Sequence, residues 1–299
     1  MMYKNCPICD SPKYRLVGNP RTNEISKNFM DKDYKIVQCA DCKIYYVYPE
    51  ITFSNDQWTK LYNNEYFSLQ SNWLIKKRAK ELIQRFNDAS KYFKNNKVRF
   101  LDIGSGEGKA LLEGLKREWD VTGIDIVDNR IGEAKAERIK FIKGNFLEYE
   151  FPGNYFDFIY LDSVLEHVLS PKEYLLKIKS ILKTEGIVYI GVPNEDSLFN
   201  TIRKFAFYFI GKKNISVKLK PFESPYHIIG FNKKSLTQIF SAINLDVITM
   251  KDFGRKFDFL SYKINQRGFW IGLIFLMPIE FIGMILKRDV YYKVYAMKR

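Results

Sequence analysis

The chain has 299 residues, enough for one large α/β domain with an appendage or for two small domains. With 46% hydrophobic and 27% charged residues it is a folding chain, which excludes general disorder and collagen-like or low-complexity material. The net charge of +14 is uneven: residues 1–200 carry 30 basic and 28 acidic side chains, residues 201–299 carry 18 and 6, so an anionic partner belongs with the last third.

The opening Met-Met-Tyr-Lys-Asn-Cys has no apolar stretch behind its basic residue, and the expected localisation is cytoplasmic. All four cysteines lie in the first 42 residues, as Cys6-Pro-Ile-Cys9 and Cys39-Ala-Asp-Cys42. In a reducing compartment such pairs read as metal ligands rather than disulfides. Each pair can chelate from one tight turn, and four thiolates form a closed tetrahedral site for a structural Zn2+ with no open catalytic position. The 29 residues between the pairs exceed the usual spacing of about 15–20, and the alternative is four unrelated buried thiols. Residues 1–50 are therefore expected to form a small zinc-ribbon-like module.

Residues 51–97 are expected to form a helical cap, with Trp73, Leu74, Leu82, Ile83 and Phe86 at helical spacing. Residues 98–299 are expected to form the main domain. Its short apolar runs Val98–Ile103, Val121–Ile126, Lys140–Ile142, Phe156–Leu161 and Ile187–Val192 alternate with amphipathic stretches, the pattern of βαβ units on a parallel sheet. Residues 194–235 are aromatic and basic without clear periodicity. Beyond them come a helix, a strand near Leu245–Met250, a long apolar stretch and a last strand near Val290–Met297.

The first run continues as Phe100-Leu101-Asp102-Ile103-Gly104-Ser105-Gly106-Glu107-Gly108 and leads into a helical pattern. Glycines at such a turn let a ligand approach the backbone and present amides at a helix N-terminus; the alternative is simply a tight turn. A second acid, Asp125, ends the next strand 23 residues after Asp102, where a carboxylate can accept from both hydroxyls of a ribose.

Leu-Asp-Ile-Gly-Ser-Gly-Glu-Gly, then Gly-Ile-Asp, then Phe-Asp-Phe-Ile-Tyr-Leu-Asp-Ser-Val-Leu-Glu-His-Val and Gly-Ile-Val-Tyr-Ile-Gly-Val-Pro-Asn resemble a class I S-adenosylmethionine-dependent methyltransferase, over roughly residue 60 to the end. The resemblance implies a doubly wound, Rossmann-like α/β sheet of seven strands, the last two forming an antiparallel hairpin. It implies that Gly104 and Gly106, with Ser105 between them, pass under the methionine part of S-adenosyl-L-methionine. Asp102 would hold the amino group and Asp125 the ribose, with Ile126 beside it. Where the family usually has Gly-Asp, this chain has Gly144-Asn145-Phe146; Asn145 can still accept from the adenine amino group, and Phe146 either lines that pocket or sits in the core. Asp162 and Ser163 would face the sulfonium end, while Leu165, Val168 and Leu169 belong to the core. Tyr62 and Tyr66 either cap the cofactor or pack. Zinc ribbons precede this domain in many bacterial enzymes that modify sugars or polysaccharides, and also in some that modify ribosomal RNA.

An oxygen acceptor benefits from a general base of near-neutral pKa, and the chain has two histidines. His227, in His-Ile-Ile-Gly-Phe, lies after the fifth strand, where this fold places acceptor loops and where related small-molecule enzymes carry His-x-x-x-Phe; it is the first candidate for base or acceptor ligand. His167, beside Glu166, is the second, with a structural role as its alternative. Tyr226 and Glu223 are weaker candidates.

Two insertions, near 197–230 and 255–288, remain. The first interleaves aromatics with Arg203, Lys204, Lys212, Lys213, Lys218 and Lys220, suited to stacked bases and phosphates, to a lipid headgroup region, or to a lid helix with a solvated basic face. In the second, residues 269–286 are apolar at 14 of 18 positions. Its ends must return to one sheet and it contains Glu280, so a transmembrane span is not expected. A hydrophobic hairpin over the acceptor pocket and a monotopic surface on the anionic inner leaflet stay open, with the second favoured.

The expected activity is methyl transfer to a small or lipid-linked acceptor, foremost a sugar of a surface polysaccharide or glycolipid. The first alternative is an RNA methyltransferase, with nucleic acid held by the ribbon and the basic tail; against it, the place of an Asn-Pro-Pro-Tyr-type motif reads Leu-Asp-Ser-Val. The second is a non-catalytic cofactor-binding protein, against which the glycine loop and Asp125 weigh.

Overall fold

A computed structural model describes residues 5–27, 30, 32–54, 57, 72–94, 97–223, 226–254 and 258–299. Tyr62 and Tyr66 lie outside the described residues, as do the side chains of Trp73 and Leu74.

Strands β1 (Tyr14–Gly18), β2 (Lys35–Cys39) and β3 (Tyr45–Tyr48) precede helix α1 (Asn72–Ser90). The main domain then alternates: β4 (Arg99–Ile103), α2 (Lys109–Lys116), β5 (Asp120–Asp125), β6 (Lys140–Lys143), β7 (Phe156–Asp162), α3 (Pro171–Ile181), β8 (Leu182–Pro193), α4 (Leu198–Phe209), β9 (Ile229–Gly230), α5 (Lys233–Ala242), β10 (Asp246–Phe253), α6 (Arg267–Ile285) and β11 (Tyr291–Met297). The seven-stranded sheet has the order β10-β11-β8-β7-β4-β5-β6. Strands β4 to β8 run parallel and β11 lies antiparallel between β8 and β10. This is the Rossmann-like architecture expected, with the closing hairpin at 246–297.

Period-two alternation assigns each strand residue to a face. Phe100, Phe158, Tyr160, Ile187 and Tyr189 point into one core, where Phe86 of α1 stacks on Trp119 at 5.5 Å between ring centroids. Leu101, Ile159, Leu161, Val188 and Ile190 point into the other, under Leu175 and Ile178 of α3 and Leu236, Ile239 and Phe240 of α5. Phe86 is fully buried among four aromatic rings, so truncation to Ala is expected to cost about 3–5 kcal/mol.

Chain order runs β4-β5-β6 outward on one side, then returns to β7 and β8 on the other. The switch point, where α/β sheets bind ligands, therefore lies between the C-terminal ends of β4 and β7.

The N-terminal module does not end cleanly at residue 50. Its four-stranded sheet has the order β1-β2-β3-β9, so the fourth strand comes from the acceptor-side insertion. Tyr34 and Phe53 also pack on Phe222 of that insertion, at 5.2 and 5.9 Å between ring centroids. The core is continuous across the expected boundary.

Residues 194–235 contain α4, and the apolar stretch near the C-terminus is one continuous helix, α6, with a single π turn at Gly272–Leu276, not a hairpin.

Candidate active site

At the switch point the turn after β4 uses three positive-φ glycines, Gly104 (φ 72°), Gly106 (φ 50°) and Gly108 (φ 81°), a region open to glycine at no steric cost. Their surroundings differ. A Cβ on Gly104 would meet Val164 Cγ2 at 2.6 Å and one on Gly108 would meet Ala134 Cβ at 2.5 Å, whereas nothing lies within 4 Å of one on Gly106. The first and third glycines serve packing; the middle one faces open space. Ser105 is buried and turns its hydroxyl back to donate to the Asp102 carbonyl at 3.0 Å.

Asp125 ends β5 and accepts from the Gly106 N–H at 2.8 Å. Burial raises its pKa against the opposing pull of backbone N–H groups from Gly106, Val127 and Ile126. Beside it Ile126 is 69% exposed, an apolar side chain that a flat ring could cover. Asp102 is buried, and burial first, then the neighbouring Asp125 and Asp162 charges, hold its carboxyl well above the ordinary range. An acid placed so is at ease only when neutral or beside a cation.

The residues present fit S-adenosyl-L-methionine. A glycine turn open at Gly106, a ribose-type acid at a strand end and a buried acid suited to an ammonium group occupy consecutive places along one edge.

Other expected positions are differently engaged. Asn145 donates through Nδ2 to Glu148 Oε1 at 2.9 Å and accepts the Leu147 N–H through Oδ1 at 3.0 Å, so its amide already closes a local turn. Phe146 is buried, 5.1 Å from the Tyr174 ring, in the core. Leu165 is buried, and Val168 and Leu169 pack on the same core. Asp162 forms an ion pair with Arg85 Nη1 of α1 at 2.5 Å, with the Tyr160 hydroxyl 3.3 Å away. Ser163 takes a left-handed turn (φ 61°) and donates its N–H to the Gly191 carbonyl at 2.9 Å, which fixes the strand end where the chain bends toward Glu166. Glu223 pairs with Arg21 at 3.5 Å, and Tyr226 is buried.

The two histidines meet: their ring centroids are 5.0 Å apart, edge to face. Between them and the sheet sits Glu166, 1% exposed, with Oε1 3.9 Å from His227 Nε2. Among the described residues no donor reaches either Glu166 carboxyl oxygen with hydrogen-bond geometry, and burial pushes this acid up to about 8. His167 is held neutral, pushed down to about 4 by burial, while it hydrogen-bonds the Tyr226 backbone. The Glu166 carbonyl accepts from the N–H groups of Ile228 and Ile229 at 2.8 and 3.0 Å, stitching the His227 segment to the end of β7. Sequence reasoning missed Glu166 and Arg85. Glu166 carried a signal, an acid directly preceding a histidine just past a sheet strand.

In the N-terminal module four sulfurs converge: Cys6 and Cys42 Sγ are 3.4 Å apart, Cys9 and Cys39 Sγ 3.6 Å, and all four lie within 4.8 Å of one another. These separations are far beyond a disulfide bond and close to the roughly 3.8 Å edge of a ZnS4 tetrahedron with 2.3 Å bonds. The Cys42 hydrogen bond lowers Cys6 to about 6, while the same bond first, and burial second, raise Cys42. Crowded thiols thus ionise together only with a cation among them. The residues present could hold a tetrahedral soft metal ion.

A seven-stranded sheet with β11 antiparallel, a glycine turn after β4 and acids on β4 and β5 agrees with the class I S-adenosylmethionine-dependent methyltransferases. A family described as a methyltransferase domain matches residues 74–250, more than half of the chain, and the chain belongs to that family. A Methanocaldococcus jannaschii protein of uncharacterized function is 32% identical over 188 residues, 62% of this chain and 74% of that protein. The demethylmenaquinone methyltransferase of Geobacillus kaustophilus is 28% identical over 121 residues, 37% of this chain and 52% of that enzyme. A sterol 24-C-methyltransferase of Gibberella zeae is 30% identical over 99 residues, 30% of this chain and 26% of that enzyme. The matched region thus spans about half of the quinone enzyme and a quarter of the sterol enzyme.

Among solved structures, the 1,6-didemethyltoxoflavin-N1-methyltransferase of Burkholderia thailandensis superposes with a TM-score of 0.52 at 14% identity, over 90% of this chain and 97% of that one. A SAM-dependent methyltransferase from Archaeoglobus fulgidus gives 0.51 at 22%, over 76% and 99%. At these identities the likeness is one of fold.

Proposed function

We propose that this protein transfers a methyl group from S-adenosyl-L-methionine to a hydroxyl of a small or lipid-linked acceptor, foremost a sugar of a glycolipid or surface polysaccharide, with His227 as the general base. The observation that carries this reading is that the glycine turn and the His227 segment meet at the C-terminal ends of β4 and β7: Gly104 faces Val164, two residues before the buried Glu166, whose carboxyl lies 3.9 Å from the partly buried His227. Relatives named for demethylmenaquinone and sterol substrates support an acceptor of apolar character.

The bound cofactor supplies an activated methyl on a sulfonium. The chain's residues do the rest. Asp125 and Gly106 would hold the ribose and methionine ends, and Asp102 the amino group. In-line displacement needs alignment and exclusion of water more than bond activation. His227 accepts the acceptor hydroxyl's proton as the new O–CH3 bond forms and the S–CH3 bond breaks, leaving S-adenosylhomocysteine. Glu166 fixes the segment that carries His227 through its backbone carbonyl, which accepts from Ile228 and Ile229. Cys6, Cys9, Cys39 and Cys42 would hold a structural Zn2+, which would steady the sheet that carries β9, two residues beyond His227.

The test is methyl transfer from radiolabelled S-adenosylmethionine into an extract of the source cells, separated into lipid, RNA and water-soluble pools. Label in the lipid or glycan pool is expected, and label confined to RNA would overturn the acceptor assignment.

A further inference from the structure

Helices α4 and α6 pack on each other at the end of the sheet that carries the cofactor cleft. Helix α4 follows the C-terminal end of β8, and α6 lies between the C-terminal end of β10 and the start of β11. Their outer faces are apolar to a degree that a water-facing helix does not sustain. Helix α6 is apolar along most of its length, yet only about 11% of it is buried. Phe209 is 80% exposed, Phe275 62% and Ile285 70%, beside Phe205, Ile274 and Ile282.

The charge around this face has one sign. Residues 198–213 and 259–288 contain eight Lys and Arg and a single acid, Glu280, which is half-buried. Lys204, Lys212, Lys213, Arg267 and Lys287 are exposed. Lys213 Nζ sits 4.5 Å over the Tyr208 ring, so cation and aromatic share one surface level, as at a membrane interface.

A helix of 19 residues, about 28 Å at 1.5 Å per residue, is nearly long enough to cross a bilayer. The topology forbids it: Phe253 and Tyr291, which bracket the insertion, are paired neighbours on adjacent antiparallel strands. The chain leaves and re-enters at one point, so α6 can lie on a membrane but cannot span it.

We infer that α4 and α6 form a monotopic docking face for an anionic lipid bilayer, the apolar side chains entering the acyl boundary and the lysines meeting the headgroups. That docking brings the acceptor side of the cleft to the membrane rests on the methyltransferase reading; the docking itself does not.

The experiment is flotation of the full-length protein with phosphatidylcholine vesicles, with and without phosphatidylglycerol, alongside calorimetry of S-adenosylhomocysteine binding. Wild type is expected to float with the anionic vesicles and to lose much of that binding in high salt. The double variant Phe209→Asp/Phe275→Asp is expected to bind vesicles about tenfold or more weakly with cofactor affinity unchanged. Lys212→Ala/Lys213→Ala provides a second reading that leaves the apolar face intact, and is expected to weaken only the anionic component. Tryptophan emission should shift to the blue with vesicles, and Trp270→Phe should diminish that shift. Wild type that stays with the aqueous fraction for both vesicle types overturns the inference. So does a wild-type dimer that the double Asp variant converts to monomer without any vesicle binding, an outcome that assigns the face to a second copy. Failure of S-adenosylhomocysteine to bind, with vesicle binding intact, removes the methyltransferase reading and leaves the docking face standing.

Discussion

The imidazole of His227 stands 3.9 Å from the carboxyl of Glu166, a residue 61 positions earlier in the chain and 1% exposed. Their segments are joined through the backbone, since the Glu166 carbonyl accepts from Ile228 and Ile229. A loop after β8 is thereby locked to the end of β7. If His227 is the base, His227→Ala should lower kcat by about 10²–10⁴ while S-adenosylhomocysteine affinity is retained. Unchanged turnover in that variant removes His227 from the chemistry.

Glu166 also predicts a pH dependence of stability. Its pKa rises from an ordinary 4.5 to about 8 in the folded chain because burial disfavours the charge. Between those values the folded state binds the extra proton, so this contribution is fully present below about pH 4.5 and is lost as pH rises through about 8, by about 1.4 kcal/mol per unit at most. Glu166→Gln, which is neutral throughout, should flatten the fall of the thermal midpoint from pH 5 to pH 8. A wild-type midpoint that rises over this range and is unaltered by the substitution contradicts the assignment.

The glycine turn separates into packed positions, Gly104 and Gly108, and an open one, Gly106. Asp125→Ala should weaken S-adenosylhomocysteine by about 1.5–3 kcal/mol in calorimetry, the range for hydrogen bonds to a charged group. Gly106→Ala adds a methyl that touches nothing in the protein; its cost in fold stability is the strain of a left-handed alanine, about 1 kcal/mol, while its cost in cofactor affinity should be larger. Gly104→Ala, driven into Val164, should instead destabilise the fold. Equal effects of the two alanines on unfolding would show that Gly106 is a packing glycine too.

The seven-stranded sheet was legible because its central strands are largely buried on both faces: the runs around Leu101, Ile124, Ile159 and Val188 are mostly apolar, and each strand of this sheet overlaps a run read from the sequence. The glycine turn was legible because its chemistry is local. Helix α4 was legible only as one of three alternatives, since Phe205 and Phe209 face outward, and periodicity needs a polar outer face to contrast with the inner one. Strand β9 is two residues long and exists through pairing with β3, a contact far away in sequence. Arg85 was hidden for a different reason. It sits beside Phe86 on a helix whose pattern showed only its apolar stripe, and only the fold brings Asp162 to it.

That ion pair gives a further prediction. Arg85 is largely buried, lies 5.4 Å from the Tyr189 ring centroid, and is the cation within 2.5 Å of Asp162. Arg85→Met keeps the apolar stem and removes the charge, leaving Asp162 beside the already buried Asp102. Breaking such a pair from one side is expected to cost about 3–5 kcal/mol, seen as a lower urea midpoint. The further change Asp162→Asn should recover part of it. A double variant no more stable than Arg85→Met alone means that the arginine contributes by packing alone.

The cysteine cluster and the acceptor loop are mechanically one unit. Cys39 ends β2, β2 pairs with β3, and Tyr45 and Tyr46 of β3 pair with Gly230 and Ile229, which follow His227 closely. Asn232 Nδ2 adds a hydrogen bond to the Lys43 carbonyl at 2.8 Å, and the Tyr45 hydroxyl one to Asp196 Oδ1 at 2.7 Å. The proposed cofactor residues, by contrast, lie on β4, β5 and the turn after β4. Native protein should therefore contain about one equivalent of zinc, and chelation or Cys39→Ser should lower the thermal midpoint, because binding energy at a structural zinc site is folding energy. S-adenosylhomocysteine affinity should survive. Methyl transfer should not: a base displaced by about 1 Å loses about 100-fold in rate. Metal analysis, calorimetry and a turnover assay on the same sample decide it. A chelated protein with unchanged turnover would mean that β9 keeps its place without the metal, and metal content well below one equivalent would show that the four sulfurs are only buried thiols.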